Sequence, residues 1–397
     1  MLRGRVNIVS LVNPFYLYCL AFIVVILTYS LGWSSMYPKL SLGLISILAL
    51  SFIPFILLGK IYAREILSDS SFSLYSLRQL DYMFMVIILL GALDILISGF
   101  IPIIDKTHNY KEFGAPVIDV LFNTLSIFFS VVFVQTYLRT KGIRFPVYVI
   151  VILGLQIILL RRASIVWIVT SSCMLYFLEI KKVKVIYLVS GILILIFLSF
   201  SFGKLGSKRG AAQNSNPLEE FEASSWFKRS GIGEYNYMTY LYVSSPLANL
   251  QKNISSGDRF LNRGDFEDYF FYCLLPPSFT MRLENLLDLK QPVPALIHPH
   301  LIVGTCFMLS YLTLGYLGFI GMFMFILGYT AICMHVIKKS NTFYYASLSL
   351  LSTAILMEVF DNMLIRLDVI FMLFIYPVIF HYANLWLGNK KSYITPA

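Results

Sequence analysis

The 397-residue chain is 58% hydrophobic and 13% charged, against about 25% charged residues in an ordinary soluble domain. That composition excludes a soluble enzyme and indicates a polytopic membrane protein. The formal net charge of +10 calls for no nucleic acid, because the basic residues sort by side of the membrane, as shown below.

The N-terminus, MLRGRVN followed by a long apolar run, lacks a small-residue cleavage site after a short apolar stretch, so an uncleaved anchor is expected. With about 20 apolar residues per crossing, ten spans are predicted: 14–32, 41–59, 82–104, 116–138, 145–160, 163–178, 185–203, 314–337, 343–364 and 367–388. The expected fold class is an all-α polytopic membrane protein forming a single transmembrane domain over 1–397. Seven helices fall in 1–202, a large loop with interfacial helices and a re-entrant segment in 203–313, and three helices in 314–397.

A cytoplasmic N-terminus puts fifteen Lys and Arg in the inner short segments and six in the outer ones. That is the bias of the positive-inside rule. Both termini are then cytoplasmic, and the 203–300 loop, with ten basic and ten acidic residues, faces outward.

The outer turn after span three, DKTHNYKEFGAPVID, gathers Asp105, His108, Tyr110, Lys111, Glu112 and Asp119, groups able to hydrogen-bond sugars or to sit as a solvated loop. Asp94 and Asp119, at or inside apolar spans, read as buried structural hydrogen-bond partners. Spans five and six are short, and their turn is Arg161-Arg162. Two guanidinium groups near the hydrocarbon rim either bind an anionic group or snorkel to the headgroups.

In the loop, Tyr235, Tyr237, Tyr240 and Tyr242 suit membrane anchoring, with sugar stacking as the alternative. His298 and His300 flank Pro299; no partner lies at metal-ligand spacing, and a histidine there could act as a general base. Segment 301–312 is too short to span and reads as re-entrant or interfacial. Gly315, Gly318 and Gly321 mark close helix packing. Glu358, Asp361 and Arg366 read as an internal ion pair.

Five cysteines form no CxxC pair, and no disulfide framework or metal site is indicated. No Walker A loop, dinucleotide fingerprint, serine elbow or HExxH occurs, so no cofactor is expected. No repeat relates the parts before and after the loop, as inverted-repeat transporters show.

This layout, with YKEFGAPVID after span three, arginines between spans five and six and YLYVSSPLANLQ in the loop, resembles the bacterial O-antigen polymerases of the Wzy type, or oligosaccharide repeat-unit polymerases. The resemblance implies a multi-pass bacterial inner-membrane enzyme that joins undecaprenyl-pyrophosphate-linked oligosaccharide units on the periplasmic face. The growing chain leaves its carrier for the non-reducing end of a new unit. Implied partners are that lipid-linked oligosaccharide, membrane lipids, a chain-length regulator and a flippase. The arginine-to-glycine spacing of some members is absent here, so roles are assigned by chemistry. Arg161 and Arg162, assisted by Lys208, Arg209, Arg263 and Arg282, are expected to hold the pyrophosphate without metal. Tyr110 is expected to contact substrate, and His298, His300 or Glu112 to be the base. Competing readings are an O-antigen ligase, a transporter or flippase, and a structural membrane partner.

Overall fold

The computed structural model describes residues 5–7, 12–68, 77–105, 112–180, 182–184, 216–257, 266–287, 289, 291–340 and 343–386. The predicted span 185–203, together with Tyr110, Lys208, Arg209 and Arg263, lies outside the described residues.

The first half of the described chain is a run of helices. They are α1 (Pro14–Tyr29), α2 (Leu42–Ser68), α3 (Leu77–Ser98), α4 (Pro116–Thr140), α5 (Arg144–Ile158) and α6 (Arg162–Ile180). Their starts follow from capping chemistry. Asn13 accepts the Phe15 amide at 3.0 Å ahead of Pro14, and α4 begins with Pro116; proline suits the first helical turn, whose N–H has no partner within the helix. A short antiparallel pair, β1 (Arg5–Asn7) with β2 (Lys182–Lys184), joins the start of the chain to the end of α6.

A cap follows. It contains α7 (Pro217–Glu220), α8 (Ser225–Arg229), α9 (Glu234–Ser256) and α10 (Phe266–Tyr269), which runs into a π-turn at Phe270–Leu274, then α11 (Pro277–Leu287). The cap is bonded to the connection after α1: the Ser35 amide donates to Glu222 O at 2.9 Å and the Ser224 amide to Trp33 O at 2.7 Å. The chain closes with α12 (Phe307–Leu314), α13 (Tyr316–Ser340), α14 (Tyr344–Met357), α15 (Leu367–Ile370), a π-turn at Phe371–Ile375 and α16 (Tyr376–Trp386).

Among the described residues five helices are long and apolar enough to cross a membrane: Leu42–Ala63, Leu77–Ser98, Pro116–Thr140, Arg162–Ile180 and Tyr316–Lys338. α2 and α3 stand at the periphery and expose large apolar side chains such as Leu50, Leu89 and Leu96. Such a surface is stable in hydrocarbon and an aggregation hazard in water. The centre is α14, whose residues from Tyr344 to Ile355 are all buried. Two of its hydroxyls reach across to neighbours: Thr353 meets Ser171 at 2.9 Å, and Ser352 donates to Val12 O at 2.7 Å. Fourteen residues rise only about 21 Å, short of the roughly 30 Å hydrocarbon core, so α14 stops inside the bundle and leaves room above its C-terminus.

The tyrosines of α9 divide by face. Tyr237 and Tyr240, 0% and 2% exposed, pack with Trp33, Tyr37 and Phe227 at ring separations of 4.9–5.5 Å. They form the cap's own core, a correction to both the anchoring and the stacking expectation for these two rings, because α9 turns that face onto the connection after α1. Tyr242 is exposed. The segment expected to be re-entrant is extended over 301–305 and then helical in α12, which is buried against α13. Gly315 makes the turn between them at φ 62°, and a methyl group on Gly318 would overlap the Ser310 carbonyl, so close packing explains both glycines.

Candidate functional site

Above the end of α14 lies a cavity of about 740 Å³. Its walls are the π-turn at 270–274, α11, the extended segment 291–305, and the turn from Phe360 to Arg366.

The extended wall is held by one polar face of α9. The Asn249 side-chain amide donates to Leu301 O at 2.6 Å and Val303 O at 2.7 Å, while its oxygen accepts the Ile297 amide at 2.8 Å. One turn on, Asn253 exchanges two bonds with Ala295, both 2.9 Å, and Lys252 Nζ donates to Leu296 O at 2.7 Å. These residues lie three and four apart, so one stripe of the helix clamps a segment that has no strand partner.

The turn wall is knotted by its own acids. Glu358, 0% exposed, accepts the Met363 and Leu364 amides at 2.9 and 3.1 Å, and its carbonyl accepts the Cys306 amide at 3.0 Å. Asp361 is exposed, lines the cavity and accepts the Asn362 amide at 2.8 Å. Asn362 donates to Cys273 O at 2.8 Å. Arg366 grips Asp368 with two bonds of 3.1 and 3.0 Å. Burial works against its charge, but Asp368 and Asp361 outweigh that, and its pKa is raised.

Two lining residues carry a buried oxygen with no hydrogen-bond partner, Thr305 Oγ1 and Asn362 Oδ1, and a third, Tyr272, has its hydroxyl buried against Glu284. Burial, then the carboxylates of Glu284 and Asp268, pushes the Tyr272 phenol up to about 12, so it stays a neutral hydroxyl.

Among the described residues none of the sequence-predicted site residues lines this cavity. Arg161 is drawn into the bundle. It donates to Asp94 Oδ2 at 2.8 Å and to Asp119 Oδ1, and its guanidinium lies over Phe113 and Phe122, 5.6 and 5.2 Å from the ring centres. Asp94, 0% exposed, also accepts the Ala115 amide at 2.9 Å. Burial lowers the Arg161 pKa, and Asp94 opposes that shift. Two carboxylates therefore already neutralise this cation, as the structural reading of Asp94 and Asp119 expected. Arg162, the first residue of α6, is half-buried beside it.

His298 and His300 sit together in the cap, ring centroids 5.3 Å apart, with Phe221 against His298 and Glu220 3.8 Å from His300 Nε2. His298 Nδ1 accepts the His300 amide at 3.3 Å. Burial, then His300, lowers the His298 pKa, with Glu220 and Glu222 opposing. Glu112 is exposed in the connection between α3 and α4, and Arg282 is exposed on α11. Among the described residues no group of three or more His, Cys, Asp or Glu is placed to hold a metal. The residues that build the cavity, Glu358, Asp361 and Arg366, were visible in the sequence as ionisable groups beside an apolar span. What could have raised them is that three charges cluster within nine residues of a membrane segment.

Fold and cavity together define a class: an α-helical, membrane-embedded protein with a carboxylate-bearing cavity beneath a polar cap. No protein-family model, curated protein or solved structure gives a significant match to the chain.

Proposed function

We propose that the protein is a glycosyl-transfer enzyme of the O-antigen polymerase type, joining undecaprenyl-pyrophosphate-linked oligosaccharides at the periplasmic face of a bacterial inner membrane, with ten spans and an outward cap. The observation that carries the proposal is the cavity: an exposed carboxylate, Asp361, shares its lining with the hydrogen-bonding side chains of Tyr272, Thr305 and Asn362. Beside it α11 and the extended wall expose Met281, Leu286 and Val293, apolar side chains suited to a headgroup boundary. Carbohydrate chemistry needs the polar groups, and a lipid-carried substrate needs the apolar rim.

In this reading Asp361 is the general base. The acceptor O–H bond breaks and its proton passes to the Asp361 carboxylate. The acceptor oxygen bonds to the donor's anomeric carbon, and the bond from that carbon to the diphosphate breaks, its electron pair leaving on the diphosphate. Because the donor carries its own leaving group, no nucleotide is required. Cations stabilise the departing charge: Arg162 and Arg282, with Lys208, Arg209 and Arg263 of the loop. Arg161, neutralised by Asp94 and Asp119, braces the turn that presents Arg162.

The test is deletion of the gene in its host, with the surface glycolipid run on a gel, followed by complementation with Asp361→Asn. Expected are loss of the ladder with one repeat unit retained on the lipid core, and failure of the variant to restore the ladder although it reaches the membrane in normal amount. An unchanged ladder on deletion overturns the reading. Loss of even the single unit would favour a ligase or flippase.

A further inference from the structure

We infer that the cavity is the subsite for the uncharged, hydroxyl-bearing acceptor sugar, held by Tyr272, Thr305 and Asn362, and that the diphosphate of the donor binds outside it. The inference rests on the proposed glycosyl transfer and deepens it by assigning one half of the substrate to one place.

The three side chains are 7%, 4% and 8% exposed; Thr305 Oγ1 and Asn362 Oδ1 lack a partner, and the Tyr272 hydroxyl leans on the Glu284 carboxylate alone. A buried polar atom left without a hydrogen bond costs about 1–3 kcal/mol. Two such atoms, on two different walls of one cavity, are therefore a standing demand for a ligand. Their chemistry says which. Asn362 Oδ1 accepts only, since the amide nitrogen beside it is committed to Cys273 O, so its partner must donate. Tyr272 and Thr305 each donate and accept. A group that donates to one atom and exchanges with two hydroxyls has the chemistry of a hydroxyl, which a sugar supplies and which separates it from a diphosphate or a metal ion.

Charge excludes the alternative. The lining carries the carboxylates of Glu284 and Asp361 against one cation, Arg366, which Asp368 already holds with both oxygens. A diphosphate placed there would meet more negative charge than positive. A metal cation would leave the donor proton of Thr305 unused.

The experiment uses the purified full chain in detergent. Its thermal midpoint is followed with methyl α-glucoside, methyl α-galactoside, methyl α-mannoside or inorganic pyrophosphate, for the wild type, Thr305→Val and Tyr272→Phe. Each variant keeps the shape of its side chain; Thr305→Val removes only an oxygen that bonds nothing in the free protein and is expected to unfold no earlier than the wild type, whereas Tyr272→Phe also gives up its contact with Glu284. At least one glycoside should raise the wild-type midpoint, and each variant should bind it about five-fold more weakly, the effect of losing one neutral hydrogen bond. The response to pyrophosphate should be the same in all three proteins.

Absence of any glycoside shift in the wild type would mean that the atoms serve only solvent, and would overturn the assignment. So would an unchanged glycoside response in both variants, or a pyrophosphate response lost in either. If gene deletion leaves the surface glycolipid unaltered while the glycoside response and its loss in the variants persist, the polymerase reading fails and the sugar subsite stands.

Discussion

Arg161 serves two carboxylates and two aromatic rings at once, and its environment decides its role. A guanidinium at a hydrocarbon rim looks like an anion trap in sequence, because the acids that neutralise it lie 67 and 42 residues away. Removing Arg161 strands the buried Asp94 carboxylate, which costs about 3–5 kcal/mol. Arg161→Met is therefore expected to lower the thermal midpoint steeply, and an Asp94→Leu/Arg161→Met double variant to recover most of the loss. Additive losses in that double variant would rule out the pairing as the source of stability. His298 gives a second case. Its pKa is lowered on folding, so its contribution is present above its ordinary value and lost as pH falls through the lowered one. Amide exchange at Ile297–Leu301 should accelerate, beyond its intrinsic dependence, as pH drops below about 6.5. A rate that tracks intrinsic exchange throughout would show that burial of this imidazole does not hold the cap.

Single helices were the most legible level of the sequence. The spacing of Gly315, Gly318 and Gly321 announced close packing, and the structure supplies the neighbours: the Ser310 carbonyl at Gly318 and the Tyr269 hydroxyl, 2.7 Å from a methyl group built on Gly321. Gly318→Ala meets backbone and should destabilise by about 3 kcal/mol or more. Gly328→Ala, in the same helix with nothing within 4 Å, should be neutral or gain up to about 1 kcal/mol. Equal effects of the two substitutions on thermal stability would refute the packing argument. Less legible was which face of a helix looks inward. The tyrosines of α9 alternate in a way that suits an interface or a core equally, and only the turn at Trp33, some 200 residues earlier, makes Tyr237 and Tyr240 core.

At the level of the whole molecule, hydropathy located the apolar segments and could not pair them. In lipid every face of a span can be apolar, so partners are chosen by small and polar groups far apart in sequence. The cavity escaped for the same reason: its parts come from Tyr272, Thr305 and the 358–366 turn. The membrane setting of these helices can be tested with the native cysteines. Cys173 on α6 is exposed and the other four are buried. A charged maleimide should therefore label none of the five in intact membranes, Cys173 facing hydrocarbon, and all five after denaturation. Labelling of Cys173 in the native state would place that face of α6 in water.

The bond from Ser352 to the Val12 carbonyl spans 340 residues and so sets a timetable for synthesis. At about 5–20 residues per second, α1 is made roughly 20–70 s before the helix it must finally touch. Through that interval its polar contacts are those to α2: Asn13 to the Gly59 carbonyl at 2.8 Å and Tyr18 to Ser51 at 3.1 Å. The α1–α2 hairpin is thus a waiting unit in the bilayer, and a ribosome that stalls before α14 leaves an unfinished seam for membrane quality-control proteases to find.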